Sequence, residues 1–394
     1  MISHNRKIAI DRFFGAIAVA VIKKMARVAG VILRRDHSIP ACPGVIAVSK
    51  MLGLGSIVYT GILCRALKER FPKTTILYIT SRGSAPLVKR MNYIDKILVI
   101  DDSNLISLIG STAMLLLKLW KYRPVLYFDM EVYSNWSAVI ATLSLALNRY
   151  GYYRKSSEFK KGLHTETIFF NAQKHISEVY DQMALIVSAR SRADLSGILK
   201  IFDKDKKICS GILNRLNIPH SPVIIINPNA SDLLIERRWP AERWVEYLNK
   251  IVFDLPDNIF LITGAQGDIG HVASIHARLS DNARERVFNV AGKFSLGQFL
   301  ALVERCVLIV TNDSGPLHFA VALNRPTVSI WGPGDPGHYA PIKGINKIIY
   351  KSVYCSPCLH HTEFPPCHGN NICVKEISVD NVLEATKEAI RENP

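Results

Sequence analysis

The chain has 394 residues, with 49 Lys and Arg against 33 Asp and Glu, a formal charge of +16, and 48% hydrophobic residues. That length exceeds what one compact core holds and calls for two domains, and the composition excludes a disordered or fibrous chain. The basic surplus favours anionic partners such as phosphate-bearing substrates or anionic lipid. Nucleic acid is set aside because no recognised nucleic-acid module is present.

The first element is distinctive. Residues 12–35 read RFFGAIAVAVIKKMARVAGVILRR, and the longest uncharged apolar run, Phe13 to Ile22, covers ten residues. A membrane-spanning helix needs ~20. Wound as a helix, Arg12, Lys23, Arg27 and Arg34 form one stripe, and Phe14, Ile17, Val21, Met25, Val28 and Ile32 form the opposite one. This predicts a basic amphipathic helix lying in a membrane interface. A secretory signal is disfavoured because Lys23-Lys24 follow the apolar core and no clean cleavage site appears. A helix packed on the first domain would share the pattern.

From Val45 to Val48 a buried-strand pattern leads into the loop Met51–Ser56, and helical periodicity follows from Ile57 to Phe71. Strand-like runs at 75–80, 96–100 and 125–129 alternate with helical stretches at 84–91, 104–120 and 134–147. Residues 158–175 are mixed, a helix covers 175–190, and another opens at Lys204 and ends near Asn217. A second series follows, with strands at 222–227, 258–263, 286–290, 307–311 and 326–331 and a capped final helix over 378–392. The alternation predicts an α/β chain of two doubly wound domains facing a cleft. The expected divisions are an N-terminal helix over 1–40, a first domain over 41–200, a second over 201–375 and a C-terminal helix over 376–394.

Four loops that follow strands are candidate ligand contacts. Gly53 and Gly55 in the first loop would let a backbone approach a ligand, though a tight strand-to-helix turn explains them as well. Asn227 to Ser231, followed by Glu236-Arg237-Arg238-Trp239-Pro240, sets small polar groups and two guanidinium groups after a strand. Such a set suits a diphosphate. Asp268, after Gly264-Ala265-Gln266-Gly267, is an acidic contact or an N-cap. Thr311-Asn312-Asp313-Ser314-Gly315-Pro316-Leu317-His318 joins a strand to a helix, which is a seat for phosphate, or else an ordinary cap.

The order Gly-Leu-Gly, then Arg-Arg-Trp-Pro, then Thr-Asn-Asp-Ser-Gly-Pro-Leu-His, with Trp-Gly-Pro-Gly-Asp-Pro trailing, resembles the heptosyltransferases of glycosyltransferase family 9 over about residues 44–390. The resemblance implies a GT-B fold of two Rossmann-like domains, with the acceptor on the first and the nucleotide-sugar donor on the second. It also implies inverting transfer of heptose from ADP-heptose to lipopolysaccharide core or another lipid-linked glycan, at the cytoplasmic face of the bacterial inner membrane and without a cofactor. By position, Asp313, Ser314, Gly315 and His318 match the donor-diphosphate turn. Arg237 matches a basic residue that is usually Lys, Asn229 and Ser231 match the loop touching the phosphates, and Asp268 lies near the ribose contact.

Helix-start amides and Arg237 would stabilise the leaving diphosphate without a metal. The one Asp-x-Asp, Asp203-Lys204-Asp205, opens a charged helix rather than following a strand. The family's first loop commonly carries Gly-Asp, whose Asp is the presumed base, but here Gly55 precedes Ser56, and a hydroxyl is a poor base. Glu131, and after it Asp129, are the substitutes at the end of a first-domain strand; either could instead cap a loop. Two rivals are a two-domain sugar-nucleotide epimerase and a non-catalytic membrane-associated glycan-binding relative that lost its base at Ser56.

Cys42, Cys64, Cys209 and Cys306 sit within apolar runs and read as small buried groups of a reducing compartment. Cys355, Cys358, Cys367 and Cys373 form a separate cluster with three histidines among them. It reads as a zinc site, a reduced loop or disulfides. The resemblance favours the loop, because relatives carrying Cys-Ser-Pro-Cys need no metal.

Overall fold

The computed structural model describes residues 11–190, 192–230, 234–359, 362, 365 and 367–393, except the side chains of 12, 156, 157 and 159. The chain forms two compact units that divide between Ala193 and Asp194.

The first unit is built on six parallel strands: β1 (Val45–Ser49), β2 (Thr75–Ser81), β3 (Lys96–Ile100), β4 (Leu126–Asp129), β5 (Asn148–Tyr153) and β6 (Glu166–Phe169), in the order β3-β2-β1-β4-β5-β6. The second unit repeats the plan with β7 (Val223–Asn227), β8 (Ile259–Ile262), β9 (Val287–Asn289), β10 (Leu308–Asn312), β11 (Thr327–Trp331) and β12 (Asn346–Tyr350), ordered β12-β11-β10-β7-β8-β9. Each is the doubly wound order in which the chain reverses direction beside its first strand. The central strands are continuous apolar runs because helices cover both faces: Ile46, Ala47 and Val48 in β1 and Ile224, Ile225 and Ile226 in β7 are all fully buried.

Reversal places two strand ends side by side. Ser49 of β1 stands opposite Asp129 of β4, and Asn227 of β7 opposite Thr311 of β10. Ligands of open α/β sheets bind at these positions. The second sheet is closed on one side by the helices Ala241–Asp254 and Val379–Arg391, and Trp244 and Tyr247 of the former pack edge to face with Trp239.

Three strands were not anticipated. β5 follows the expected helix over 134–147 on residues given no element, β6 lies in the stretch read as mixed, and β12 follows the last expected strand. The helix expected over 134–147 stops at Leu143, and Leu145 turns the chain with φ +59° into β5. The stretch 84–91 holds a single helical turn, Ala85–Val88. Cys64, Cys209 and Cys306 are buried as expected, but Cys42 is exposed.

A π-helical turn, Asp11–Gly15, runs into the helix Ala16–Leu33. The Asp11 carboxylate accepts hydrogen bonds from the amides of Asn135 (2.8 Å) and Trp136 (2.7 Å), which start the helix Asn135–Leu143. Val19, with Ala18 and Ile22, packs on Ala138, Val139 and Leu163. Val19 lies two turns from Arg12, on the side of the basic stripe. The helix therefore docks by the stripe opposite its apolar one, and Phe14, Ile17, Val21, Met25, Val28 and Ile32 all face outward.

Candidate functional site

In the second unit, the ends of β7, β8 and β10 bring most of the predicted donor residues together. The helix Gly315–Ala322 starts directly after β10. Ser314 is extended at its N-cap position, but its side chain makes no cap bond. Its Oγ instead lies 3.2 Å from Asn227 Nδ2 and 3.1 Å from Thr311 Oγ1. The ordinary-cap expectation for Ser314 is thereby corrected: the hydroxyl is drawn into a polar network across the switch point.

Asn229 extends that network, donating from Nδ2 to Asn227 Oδ1 (2.9 Å) and to the Thr263 carbonyl (2.8 Å). Asn312 locks the β7 loop to the following helix start, donating to the Asn229 carbonyl (3.3 Å) and accepting from the Trp239 amide (3.1 Å). A Cβ on Gly264 would fall 2.8 Å from Asp268 Cβ and 3.0 Å from Asn229 Nδ2, so a side chain there would spread the β7 and β8 loops apart.

The charged groups sit around this network. Asp313 is buried, and Arg237 Nε lies 3.4 Å from its Oδ2. Burial raises the Asp313 carboxyl above its ordinary range, and Arg237 works against that rise. A Cβ on Gly334, in the loop after β11, would come within 2.4 Å of the same Oδ2. Only a glycine leaves room for the carboxylate.

Asp268 accepts from the Ala265 amide (2.9 Å) and pairs with Arg238 at 3.5 Å, so it does cap its own turn. Arg238 also donates to the Ala230 carbonyl (3.1 Å). His318 is buried within the helix Gly315–Ala322. Ser231 lies outside the described residues. A helix start, a partly exposed guanidinium and a set of hydroxyl and amide groups together suit an anionic ligand.

In the first unit, the end of β4 meets the β1 loop. Glu131 Oε1 accepts from the amides of Met51 (2.8 Å) and Leu52 (3.0 Å), while Oε2 pairs with Lys50 Nζ at 2.8 Å. The carboxylate thus clamps the loop. Gly53, with φ +79°, turns the chain into the helix Leu54–Arg70, whose first turn holds Gly55 and Ser56. Ser56 is hydrogen-bonded to Tyr180, a buried phenol raised above its ordinary range by burial and by the charge of Glu131, with the Ser56 bond opposing.

Asp129 lies deeper and is fully buried. Its carboxylate is 3.1 Å from His164 Nε2, 3.1 Å from Ser137 Oγ, 3.4 Å from Lys160 Nζ and 3.1 Å from the Glu131 amide. Burial would raise this carboxyl, but the Lys160 ammonium and the His164 bond outweigh it and hold the group at about 2. Lys160 also donates to the Glu131 carbonyl. Lys50, Tyr180, Lys160 and His164 went unnoticed in the sequence, because each is brought in from a distant segment or a residue type without a motif.

The four clustered cysteines line a cavity of about 170 Å³ beside Pro333 and Asn371. All eight cysteines are free, which corrects the disulfide alternative. Burial, then the neighbouring Cys358, pushes the Cys373 thiol up to about 11. Among the described residues, no three His, Cys, Asp or Glu side chains are arranged to hold a metal ion. The cluster backs the loop after β11: the Cys358 and Leu359 amides donate to the Pro333 carbonyl at 3.1 and 2.8 Å.

These features agree with the comparisons. Lipooligosaccharide heptosyltransferase 2 of Haemophilus influenzae is 33% identical over 115 residues, 28% of this chain and 33% of that protein. Lipopolysaccharide heptosyltransferase 2 of Escherichia coli is 31% identical over 113 residues, 29% of this chain and 32% of that protein. The chain thus spans about a third of the length of these two relatives. Lipopolysaccharide heptosyltransferase 1 of Campylobacter coli is 22% identical over 354 residues, 87% of this chain and 98% of that protein.

Among solved structures, a family 9 glycosyl transferase from Veillonella parvula aligns with a TM-score of 0.75 at 17% identity, covering 91% of this chain and all of that one. Escherichia coli ADP-heptose lps heptosyltransferase II aligns with a TM-score of 0.70 at 22% identity, covering 88% of this chain and 98% of that one. The fold is therefore GT-B, with two Rossmann-like domains. A sequence model described as glycosyltransferase family 9 (heptosyltransferase) matches residues 134–368, more than half of the chain, and the chain belongs to that family.

Proposed function

We propose that the protein is an inverting glycosyltransferase that moves a heptose, or a related sugar, from an ADP-sugar or similar nucleotide-sugar to lipopolysaccharide core or another lipid-linked glycan. The observation that carries this reading is the network at the β7–β10 switch point, where Asn227, Asn229, Thr311 and Ser314 interlock beneath Arg237 and the start of the helix Gly315–Ala322. In the reaction, the acceptor hydroxyl attacks the anomeric carbon as its bond to the diphosphate breaks, and the hydroxyl proton passes to a base. Arg237 and the helix start carry the charge that develops on the departing diphosphate, in a transfer that uses no metal. A thermal-shift screen of nucleoside diphosphates and nucleotide-sugars tests the site. If none of them raises the melting temperature, the donor reading fails.

The first unit supplies the base, and Glu131 is favoured over Asp129. Asp129 is fully buried and held strongly ionised, whereas Glu131, at the end of β4 against the β1 loop, keeps 6% exposure. Glu131→Gln is expected to lower transfer by roughly 10²–10⁴-fold while the melting shift given by ADP stays unchanged. Retained turnover would leave Glu131 only its loop clamp.

The reading places the protein peripherally at the cytoplasmic face of the bacterial inner membrane. Its outward apolar N-terminal stripe and basic residues support that placement.

A further inference from the structure

The first unit carries a second outward apolar helix face. The helix Leu105–Tyr122 is long and apolar enough to cross a membrane by length and composition. Leu115 and Leu119 on its inner side are packed into the sheet core, so it cannot span a bilayer while the unit is folded. Its outer side is apolar on successive turns: Ile106 is 85% exposed, Ile109 55% and Leu117 54%.

The helix Asn135–Leu143 ties this face to the N-terminal one. Val19 of the N-terminal helix packs on Ala138 and Val139. Trp136 Nε1 donates to Thr112 Oγ1 (3.2 Å), and Trp120 Nε1 donates to the Leu143 carbonyl (2.8 Å). The connections β3 to β4 and β4 to β5 run in the same direction across the sheet. Right-handed crossovers therefore put both of their helices on one sheet face. Residues 12–35 and 104–123 together contain nine Lys and Arg and no Asp or Glu.

We infer that the two faces dock together on an anionic bilayer surface, with Leu105–Tyr122 as a second interfacial helix. The inference rests on the peripheral-membrane part of the reading above, which the N-terminal helix alone would satisfy. A lipid surface fits better than a second copy of the chain, because a copy would set the same basic fringe against itself. Anionic headgroups meet the lysines and arginines while the acyl boundary takes up the apolar outer sides.

The test is co-sedimentation of the full chain with vesicles of phosphatidylcholine alone or with a quarter phosphatidylglycerol. Wild type is expected to bind the anionic vesicles and to be weakened by high salt. Ile106→Ser/Ile109→Ser/Leu117→Ser and, separately, Ile17→Ser/Val21→Ser/Met25→Ser should each lower partitioning at least tenfold without changing the melting temperature.

If the first triple variant binds like wild type while the second loses binding, the second face is refuted and the peripheral reading stands. If neither variant changes binding, both fail. A concentration-dependent dimer that the first triple variant abolishes, with no vesicle binding, would show that a second copy covers the face and overturn the inference. Should the first triple variant melt early, Lys118→Glu/Lys121→Glu, both exposed, must give the same tenfold loss.

Discussion

Replacing Asp129 by Asn should destabilise the first unit far more than a usual polar substitution. The carboxylate is fully buried beside Lys160, itself 1% exposed, and its removal strands that ammonium with the Glu131 carbonyl as its remaining named acceptor. Breaking a buried pair from one side costs about 3–5 kcal/mol. For a unit of this size, each kcal/mol is worth roughly 2–4 °C, so the first unit should melt about 10 °C lower.

The pH dependence gives a second readout. The Asp129 carboxyl is depressed from 3.8 to about 2 in the folded chain. Its ionised form therefore contributes about 2 kcal/mol that is present above pH 4 and lost as pH falls from 4 towards 2. The Asn variant should lack this component of acid sensitivity. Urea unfolding followed by tryptophan fluorescence or circular dichroism at pH 7 and at pH 3 measures both. The double variant Asp129→Asn/Lys160→Met should recover much of the loss, because no charge is left unpaired. A single variant that loses under about 1 kcal/mol, or a double variant as unstable as the single, would refute the buried-pair argument.

Three further outcomes follow from the donor site. Gly334→Ala sets a methyl 2.4 Å from the Asp313 carboxylate and should weaken ADP binding about tenfold by calorimetry, with the melting temperature nearly unchanged. Arg237→Ala should lower kcat/KM roughly 10²–10³-fold in a transfer assay, and Arg237→Lys should restore most of it. Transfer should persist in excess EDTA, and activity that is lost and then returns with a divalent cation would replace the Arg237 and helix-start account.

The sequence showed the central strands because they are unbroken apolar runs, and it marked the candidate donor turn because strand, polar turn and helix start are contiguous. β6 and β12 escaped because their residues are largely half-exposed or exposed, so no continuous apolar run marks them. β5, reading NRYGYY, opens on polar residues. The surroundings of Asp129 were illegible for another reason: Lys160 and His164 lie 31 and 35 residues further along the chain, and only the fold brings them in. A helix was anticipated over 104–120, close to the observed Leu105–Tyr122, but apolar residues on both sides hid which would stay outside.

The contact at Asp11 has a practical corollary. Its carboxylate covers the first amides of Asn135–Leu143, and a Cβ on Gly15 would fall 2.5 Å from Asn135 Cβ, so the two segments cross without slack. Trimming the chain back to residue 36 to make it easier to handle in solution would remove the outward apolar stripe and, with it, the Asp11 cap of an interior helix. The trimmed protein should be less sticky and less robust at once, so the N-terminal segment works as a structural part of the first unit and cannot be removed as a detachable tether.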